Sequence, residues 1–502
     1  MNDMPSSSPQ SKTIRWIVLL LFLIPVIVNL FTFYDGHNWG EDFSQYIINA
    51  DNIIHGRPFA SGIMIKPSVV YPPGFPLLLA PLYKLVGLNF VVLKSFNMLF
   101  WYGTIALLYP LCLRRLTKTQ SVLLCLVFAY FSQFFSFKQN VLSDIPFMFL
   151  CTAALFFFDK YESSQNDSQS RRFFGLFILT ISYALFTRTI GISLFLAAGY
   201  YFLFIKRGFR KLVIAIVAAM STLTIQTLWI GVNPAGVRFL LSNFAHYMQQ
   251  TWEHAPLVLF NFVHTYNSAE SLAGEVLLIG MGKTVIFLSI VIYAVILLLF
   301  IKTSIRRTIS YMGSFSFFYL LFVLVWTGME TRGMGRFCLP ILGPILIFIC
   351  AGINWLENNP AVRRLHVDPK NLVNLFFLIM IAINVMNTAA NFRFNDDDLL
   401  KGENKELFQW VKENIHDNEH YVFHHPRVMA LMTKKIGTAI WVVLQDGPMI
   451  VEKMIEHLKE YDIDYCIMTN GIDDRFRQTL DENPQQAQLV WQNNLYRIYH
   501  LL

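Results

Sequence analysis

Residues 15 to 34 read Arg15-Trp16-Ile17-Val18-Leu19-Leu20-Leu21-Phe22-Leu23-Ile24-Pro25-Val26-Ile27-Val28-Asn29-Leu30-Phe31-Thr32-Phe33-Tyr34. After Arg15 the run carries no charge. An α-helix rises 1.5 Å per residue, so about 20 such residues cross the roughly 30 Å of a bilayer's hydrocarbon. The run is too long for the apolar part of a cleavable signal peptide, and no small-residue cleavage site precedes the polar stretch that follows. It is read as the first of a series. Further spans are expected near 92–112, 120–137, 145–158, 172–187, 190–205, 211–231, 283–301, 308–327, 338–355 and 371–388, giving about eleven.

Composition agrees. The 502 residues are 55% hydrophobic and 15% charged, with a mean hydropathy of +0.45. Average globular chains hold about 45–50% apolar and about 25% charged residues. A disordered chain, a collagen-like chain and a disulfide-stapled mini-protein are excluded, and a wholly soluble enzyme is disfavoured. Six cysteines without a C-x-x-C spacing give neither a disulfide framework nor a zinc site.

The net charge of +7 divides unevenly: residues 1–388 carry +13 and residues 389–502 carry −6. Alternate loops hold the clusters Arg114, Arg115 and Lys118; Lys160, Arg171 and Arg172; Lys206, Arg207, Arg210 and Lys211; Lys302, Arg306 and Arg307; Arg363, Arg364 and Lys370. With eleven spans all of these fall on one side, which the Lys/Arg bias assigns to the cytoplasm together with the N-terminus. The loops 35–91 and 232–282 and the acidic tail then lie outside. Basic clusters between apolar runs are a topology signal, not a nucleic-acid surface.

The loop 35–91 is the most informative outer segment. After Glu41-Asp42, the residues Phe43, Tyr46, Ile47, Ala50 and Ile54 repeat at helical spacing, and the pattern stops near His55-Gly56. Tyr71-Pro72-Pro73-Gly74-Phe75-Pro76 opens a second apolar stretch; its prolines argue against regular helix there. The tail 389–502 reads as a small α/β domain. Helices are expected at Lys405–Asn414 and Met449–Tyr461. Strands are expected at Tyr421–Phe423, Ala439–Leu444 and Tyr465–Met468, with a closing hairpin around Asn493-Asn494. The expected architecture is therefore a polytopic α-helical membrane domain, 1–388, followed by a soluble extracytoplasmic α/β domain.

Charges on the outer side of a basic membrane domain need a reason. Asp35, Glu41 and Asp42 follow the first span, and Asp144 opens the fourth in Ser143-Asp144-Ile145-Pro146. A carboxylate there can serve as a general base, and two together can hold a divalent cation. Equally, acidic residues are ordinary chemistry for turns and helix starts. Arg188, Arg332 and Arg336 break the positive-inside bias. An arginine fork suits a phosphate ligand, and suits lipid phosphate as well. Gly280-Met281-Gly282-Lys283-Thr284 lacks the earlier glycine of a phosphate loop. His420, His424 and His425 form a group that reads as structural.

The order of these elements resembles the GT-C class of integral-membrane glycosyltransferases, and within it the protein O-mannosyltransferase and lipid A aminoarabinose transferase branch. The matching pieces are Glu41-Asp42-Phe43-Ser44-Gln45-Tyr46, Tyr71-Pro72-Pro73-Gly74-Phe75-Pro76, Ser143-Asp144-Ile145-Pro146-Phe147, Arg188-Thr189-Ile190-Gly191 and Arg336-Phe337-Cys338-Leu339-Pro340. They lie between about residues 15 and 388. The resemblance implies a sugar donor on a polyprenyl phosphate and a lipid, glycan or protein acceptor. It implies Asp42 as the base, with Glu41 beside it, and Asp144 as an accessory carboxylate for acceptor or metal. Arg188, Arg332, Arg336 and Lys66 would meet the donor phosphate. Some members carry a lysine just before the proline-rich segment; here that place holds Tyr71. No cofactor is implied with certainty, and a divalent cation stays open. A bacterial plasma membrane is expected, since the chain carries no retention signal.

Two other classes fit a polytopic chain. A transporter or flippase would want charged or broken helices near the midplane. A polysaccharide polymerase or ligase would share the cations without the first-loop aspartate. A non-catalytic scaffold is a further reading.

Overall fold

The computed structural model describes residues 9–34, 36–59, 61–65, 71–230, 311–327, 334–355, 368–390, 398–440 and 454–502. The loop 232–282, the span expected at 283–301, Asp35, Lys66 and Arg332 lie outside these residues. The chain divides into two compact units. One comprises Met1–Thr32, Asn97–Lys138 and Ser143–Arg393; the other comprises Phe33–Phe96, Gln139–Leu142 and Phe394–Leu502.

The first unit is helical. Its described helices are α1 (Pro9–Phe31), most of α4 (Phe90–Leu113), α5 (Lys118–Ala129), α6 (Ser132–Phe137), α7 (Asp144–Ser163), α8 (Asp167–Thr187), α9 (Ile192–Tyr200) and α10 (Phe209–Ile230), then Tyr311–Thr327, Met334–Trp355 and Pro369–Ala390. Among the described residues four helices are long and apolar enough to cross a membrane: Phe90–Leu113, Phe209–Ile230, Arg336–Asn354 and Pro369–Ala390. Large apolar side chains of α1, α10 and Pro369–Ala390 stay exposed, among them Trp16, Leu228 and Met386, as lipid-facing helices require. The stretch expected as one span at 120–137 is broken after Ala129, where α5 ends and α6 begins.

Inside this unit polar side chains join helices. Gln120 and Asn354 exchange amide hydrogen bonds of 3.0 and 2.8 Å. Asn384 Oδ1 accepts the Ser132 N–H at 2.9 Å, at the first residue of α6, where helix geometry leaves donors unpaired. The rings of Phe158, Phe177 and Tyr311 pack together, with centroids 4.3 to 5.1 Å apart.

The second unit joins the first loop to the tail. Its five-stranded sheet has the order β2-β1-β3-β5-β4. The strands are β1 (Tyr421–Phe423), β2 (Gly437–Ala439), β3 (Tyr465–Thr469), β4 (Ala487–Gln492) and β5 (Tyr496–Leu501). β1 pairs in parallel with β2 and β3, and β5 is antiparallel to both β3 and β4. Alternation sends Val422, Cys466 and Met468 into one core with Ile455, Leu458 and Leu480. It sends Tyr421, Phe423, Ile467 and Ile498 into the other core with Leu407, Val411 and Val428. Both faces are therefore covered. Gly437 sits against Tyr421, where a Cβ would come within 2.3 Å of the ring, so only glycine lets β2 pair there. Beyond β2, the Ile65 N–H of the first loop donates to Gly437 O at 3.1 Å.

The first loop supplies α2 (Glu41–Ile54) and α3 (Gly74–Val86). α2 buries Phe43, Tyr46, Ile47 and Ala50 of the predicted apolar set, and Ile54 is half-buried. The proline argument fails for the second stretch: α3 is helical from Gly74. Pro76 stands in its first turn, where a missing N–H costs no intrahelical bond. In the tail, helices Pro426–Thr433 and Asp474–Glu482 are present that periodicity did not predict.

Candidate active site

Glu41 and Asp42 form the first turn of α2, an end where the helix dipole favours carboxylates. Glu41 accepts the backbone N–H groups of Arg427 at 3.2 Å and Val428 at 3.3 Å. These are the second and third residues of the helix Pro426–Thr433, so Glu41 caps that helix from a distant part of the sequence. Asp42 Oδ1 accepts the Tyr71 hydroxyl and lies 3.5 Å from Arg427 Nη1. Arg427 Nε is 3.7 Å from Glu41 Oε2, and its guanidinium stands 5.8 Å from the Tyr71 ring centre. The Arg427 side chain is only 6% exposed. A buried guanidinium needs opposite charge close by, and the two carboxylates of α2 provide it.

Burial pushes the Glu41 carboxyl up to about 7, against the pull of Arg427 and its two backbone donors; the Asp42 charge adds to the rise. Burial and the Asp42 carboxylate push the Tyr71 phenol well up, so Tyr71 donates its proton to Asp42 and keeps it. At the other end of α2, Asp51 pairs with Arg57, with His55 at 3.2 Å and with Lys434 at 3.4 Å. Burial alone would raise the Asp51 carboxyl, but Lys434 and Arg57 together hold it below the usual range. Lys434 ends the helix Pro426–Thr433 in a left-handed conformation, φ 64°. The two helices are thus tied at both ends.

Around this pairing, Trp39 packs on His425, Phe408 and Phe423, with ring centroids 5.0, 5.8 and 5.9 Å away. Burial lowers His425 to about 4, so its ring is neutral. His37 is buried, stacks on Phe90 at 5.0 Å and meets Ser44 Oγ at 2.9 Å. Burial, helped by Lys94, lowers it to about 3. His424 pairs with the buried Asp473, whose hydrogen bond raises it.

The helical unit holds the other predicted charges. Asp144, at the start of α7, meets Arg188 Nη1 at 2.8 Å, with side-chain exposures of 5% and 19%. Arg188 Nη1 also donates to Ser143 Oγ at 3.1 Å. The guanidinium groups of Arg188 and Arg336 lie 5.5 and 4.9 Å from the centre of one ring, Phe337, within cation–π range. The spacing Arg188-Thr189-Ile190-Gly191 has a steric reason. A Cβ on Gly191 would fall 2.6 Å from Leu185 N, so glycine lets the turn after Arg188 fold back on α8. Asp144, Arg188 and Arg336 are brought together in one unit, and Glu41 and Asp42 in the other. Sequence reasoning missed Tyr71 as a partner of Asp42 and missed Arg427 altogether.

The carboxylates do not suit a divalent ion. Glu41, Asp42 and Asp144 are each matched by an arginine, and among the described residues no three His, Cys, Asp or Glu side chains converge on a metal position.

The fold is shared with solved proteins. ArnT from Cupriavidus metallidurans in its apo state superposes with a TM-score of 0.56 at 12% identity, over 97% of this chain and 98% of ArnT. ArnT bound to undecaprenyl phosphate gives 0.54 at 11% identity, over 96% and 97%. The archaeal oligosaccharyltransferase AglB from Archaeoglobus fulgidus, in complex with an inhibitory peptide and a dolichol-phosphate, gives 0.57 at 11%, over 93% of this chain and 71% of AglB. The chain therefore shares the fold of these membrane-lipid-dependent transferase structures, ArnT and AglB, at low sequence identity. At family level, residues 69–248 match the model for dolichyl-phosphate-mannose-protein mannosyltransferases, a segment that includes Tyr71, Asp144 and Arg188. No curated protein matches the chain in sequence.

Proposed function

We propose that the protein moves a sugar from a polyprenyl-phosphate-linked donor to an acceptor hydroxyl on the outer side of the membrane, with Asp42 as general base. The observation that carries this reading is the setting of Asp42. It is a carboxylate on the first turn of α2, gripped at one oxygen by Tyr71 and Arg427, in a chain whose residues 69–248 match a polyprenyl-phosphate-sugar transferase family. The polyprenyl phosphates bound by ArnT and AglB support the donor class.

The acceptor O–H gives its proton to Asp42 as its oxygen bonds to the anomeric carbon. The bond from that carbon to the phosphate oxygen breaks, and its electron pair leaves on the polyprenyl phosphate. A base on the acceptor and fixed cations at the departing charge are what this displacement needs. Arg188 and Arg336 are assigned to the phosphate, with Arg332 and Lys66 as further candidates from the sequence. Asp144 acts through Arg188, which it orients. Glu41 is assigned to anchoring, since its oxygens are occupied by backbone donors. The membrane domain is taken as 1–388 and the outer domain as 389–502, with the N-terminus cytoplasmic, in a bacterial plasma membrane. The acceptor is a lipid, glycan or protein hydroxyl.

The test uses membranes containing the full chain and labelled polyprenyl-phosphate sugars, with label followed into lipid, glycan and protein. Asp42→Asn is expected to abolish transfer while the protein stays folded in the membrane. Wild-type transfer by Asp42→Asn would refute the assignment of the base.

A further inference from the structure

The geometry points to Arg427, in the tail, as a positioning residue for Asp42, which makes the C-terminal region a working part of the catalytic centre. This inference rests on the reading of Asp42 as the base.

Three observations carry it. First, Arg427 is the second residue of a helix, an end where the dipole disfavours a cation, and its side chain is 6% exposed. Its counter-charges are Glu41 and Asp42, almost four hundred residues earlier. Second, the approach of Arg427 is imposed by backbone, not by its side chain alone. Glu41 binds the N–H groups of Arg427 and Val428, and Lys434 meets Asp51 at the far end. The helix Pro426–Thr433 is fastened beside α2 at both ends, so the guanidinium has one place to go. Third, Arg427 Nη1 and the Tyr71 hydroxyl both fall on Asp42 Oδ1. Two donors on one oxygen fix the carboxylate's rotation and thereby the direction of Oδ2.

The division of labour follows. Glu41 anchors the helix, Arg427 aims the carboxylate, and Asp42 reacts. A misaimed base loses rate without losing donor affinity, so the effect belongs in kcat and not in the donor KM. Misplacement by about an ångström costs roughly a hundredfold.

The experiment compares full-length wild type, Arg427→Ala, Arg427→Lys and Asp42→Asn in membranes, using labelled polyprenyl-phosphate sugars as donors. Added guanidinium ion is included, and limited proteolysis serves as a fold control. Arg427→Ala is expected to lower kcat about a hundredfold with the donor KM unchanged. Guanidinium, entering the space left by the side chain, should restore part of kcat, and Arg427→Lys should fall between. Three results would overturn the inference while leaving Asp42 as the base: Arg427→Ala at wild-type rate when Asp42→Asn is inactive; a rise in donor KM in place of a fall in kcat; or a loss that neither lysine nor guanidinium rescues and that accompanies new protease sensitivity. Should Asp42→Asn remain active, the reading beneath the inference fails instead.

Discussion

Glu41→Gln should make the union of the first loop and the tail more stable at pH 8, although it removes a charge from a salt bridge. The Glu41 side chain is one quarter exposed, and burial raises its carboxyl from the ordinary 4.5 to about 7 despite Arg427 and the two N–H donors. The sign follows from proton linkage. Between pH 4.5 and 7 the folded state holds the proton more tightly than the unfolded state, so stability is fully present below 4.5 and is lost as pH rises through about 7. A displacement of that size corresponds to roughly 3 kcal/mol, and screening at a partly exposed group trims it to about 2 kcal/mol. Glutamine has no charge to desolvate, but its single carbonyl oxygen keeps only one of the two N–H groups that Glu41 meets with separate oxygens. Hydrogen exchange followed by mass spectrometry on peptides covering residues 421–440 reports the opening of this contact. At pH 8 the variant should exchange there about 5-fold more slowly than wild type, matching the roughly 2 kcal/mol from the charge less about 1 kcal/mol for the lost hydrogen bond. At pH 4 this advantage should be gone. Faster exchange in Glu41→Gln at pH 8 would refute the reasoning, because it would mean that the attraction of the ionised carboxylate for Arg427 and the helix end outweighs burial.

Tyr71→Phe removes a hydrogen bond to an ionised partner, worth about 1.5–3 kcal/mol, so kcat for transfer should fall about 10- to 100-fold; an unchanged rate would exclude a role for the hydroxyl. Arg188→Ala leaves Asp144 buried without its partner at 2.8 Å and should cost about 3–5 kcal/mol, read as a lower melting point in detergent. The double variant Asp144→Leu Arg188→Met should recover most of that stability but no transfer, and recovery of transfer would place the pair outside the chemistry. Gly191→Ala forces a backbone shift to relieve a 2.6 Å approach to Leu185 N; it should destabilise by about 1–3 kcal/mol and lower transfer by moving Arg188. A melting point within error of wild type would refute that steric reading.

Much of this was legible in the residues. The three-to-four spacing of Phe43, Tyr46, Ile47 and Ala50 marked α2 because its large apolar side chains share one side, although polar Ser44, Gln45 and Asn49 on the others are buried as well. β1, β3 and the closing hairpin were legible from β-rich runs and from Asn493-Asn494, where the Asn493 side-chain Oδ1 accepts the N–H groups of Leu495 and Tyr496. Asp144, Arg188 and Arg336 stood out as charges on the side that the Lys/Arg bias reads as outer, and they fall in one cluster. The helix Pro426–Thr433 was not read, although proline at the first position is a start signal. Eight residues with both sides buried show little periodicity. Arg427 is one basic residue in a tail of net charge −6, where an isolated arginine reads as a solvated counter-ion. Its partners lie 385 positions away, and no local pattern encodes a pairing at that distance. The start of α3 was misread for the opposite reason: prolines were counted without asking which of them occupy a first turn.

The compact unit that joins Phe33–Phe96 to Phe394–Leu502 has a consequence for the making of the protein. Asp42 and Arg427 are 385 residues apart. At about 5–20 residues per second of synthesis, roughly 20 to 80 s pass between the appearance of one and of the other. Through that interval α2 carries a buried-type apolar face and two adjacent carboxylates without the helix that covers and neutralises them. The surroundings of Asp42 are therefore among the last features of the molecule to be set. If Asp42 is the base, as proposed, chains that stall before residue 427 would lack an aligned base and stay silent.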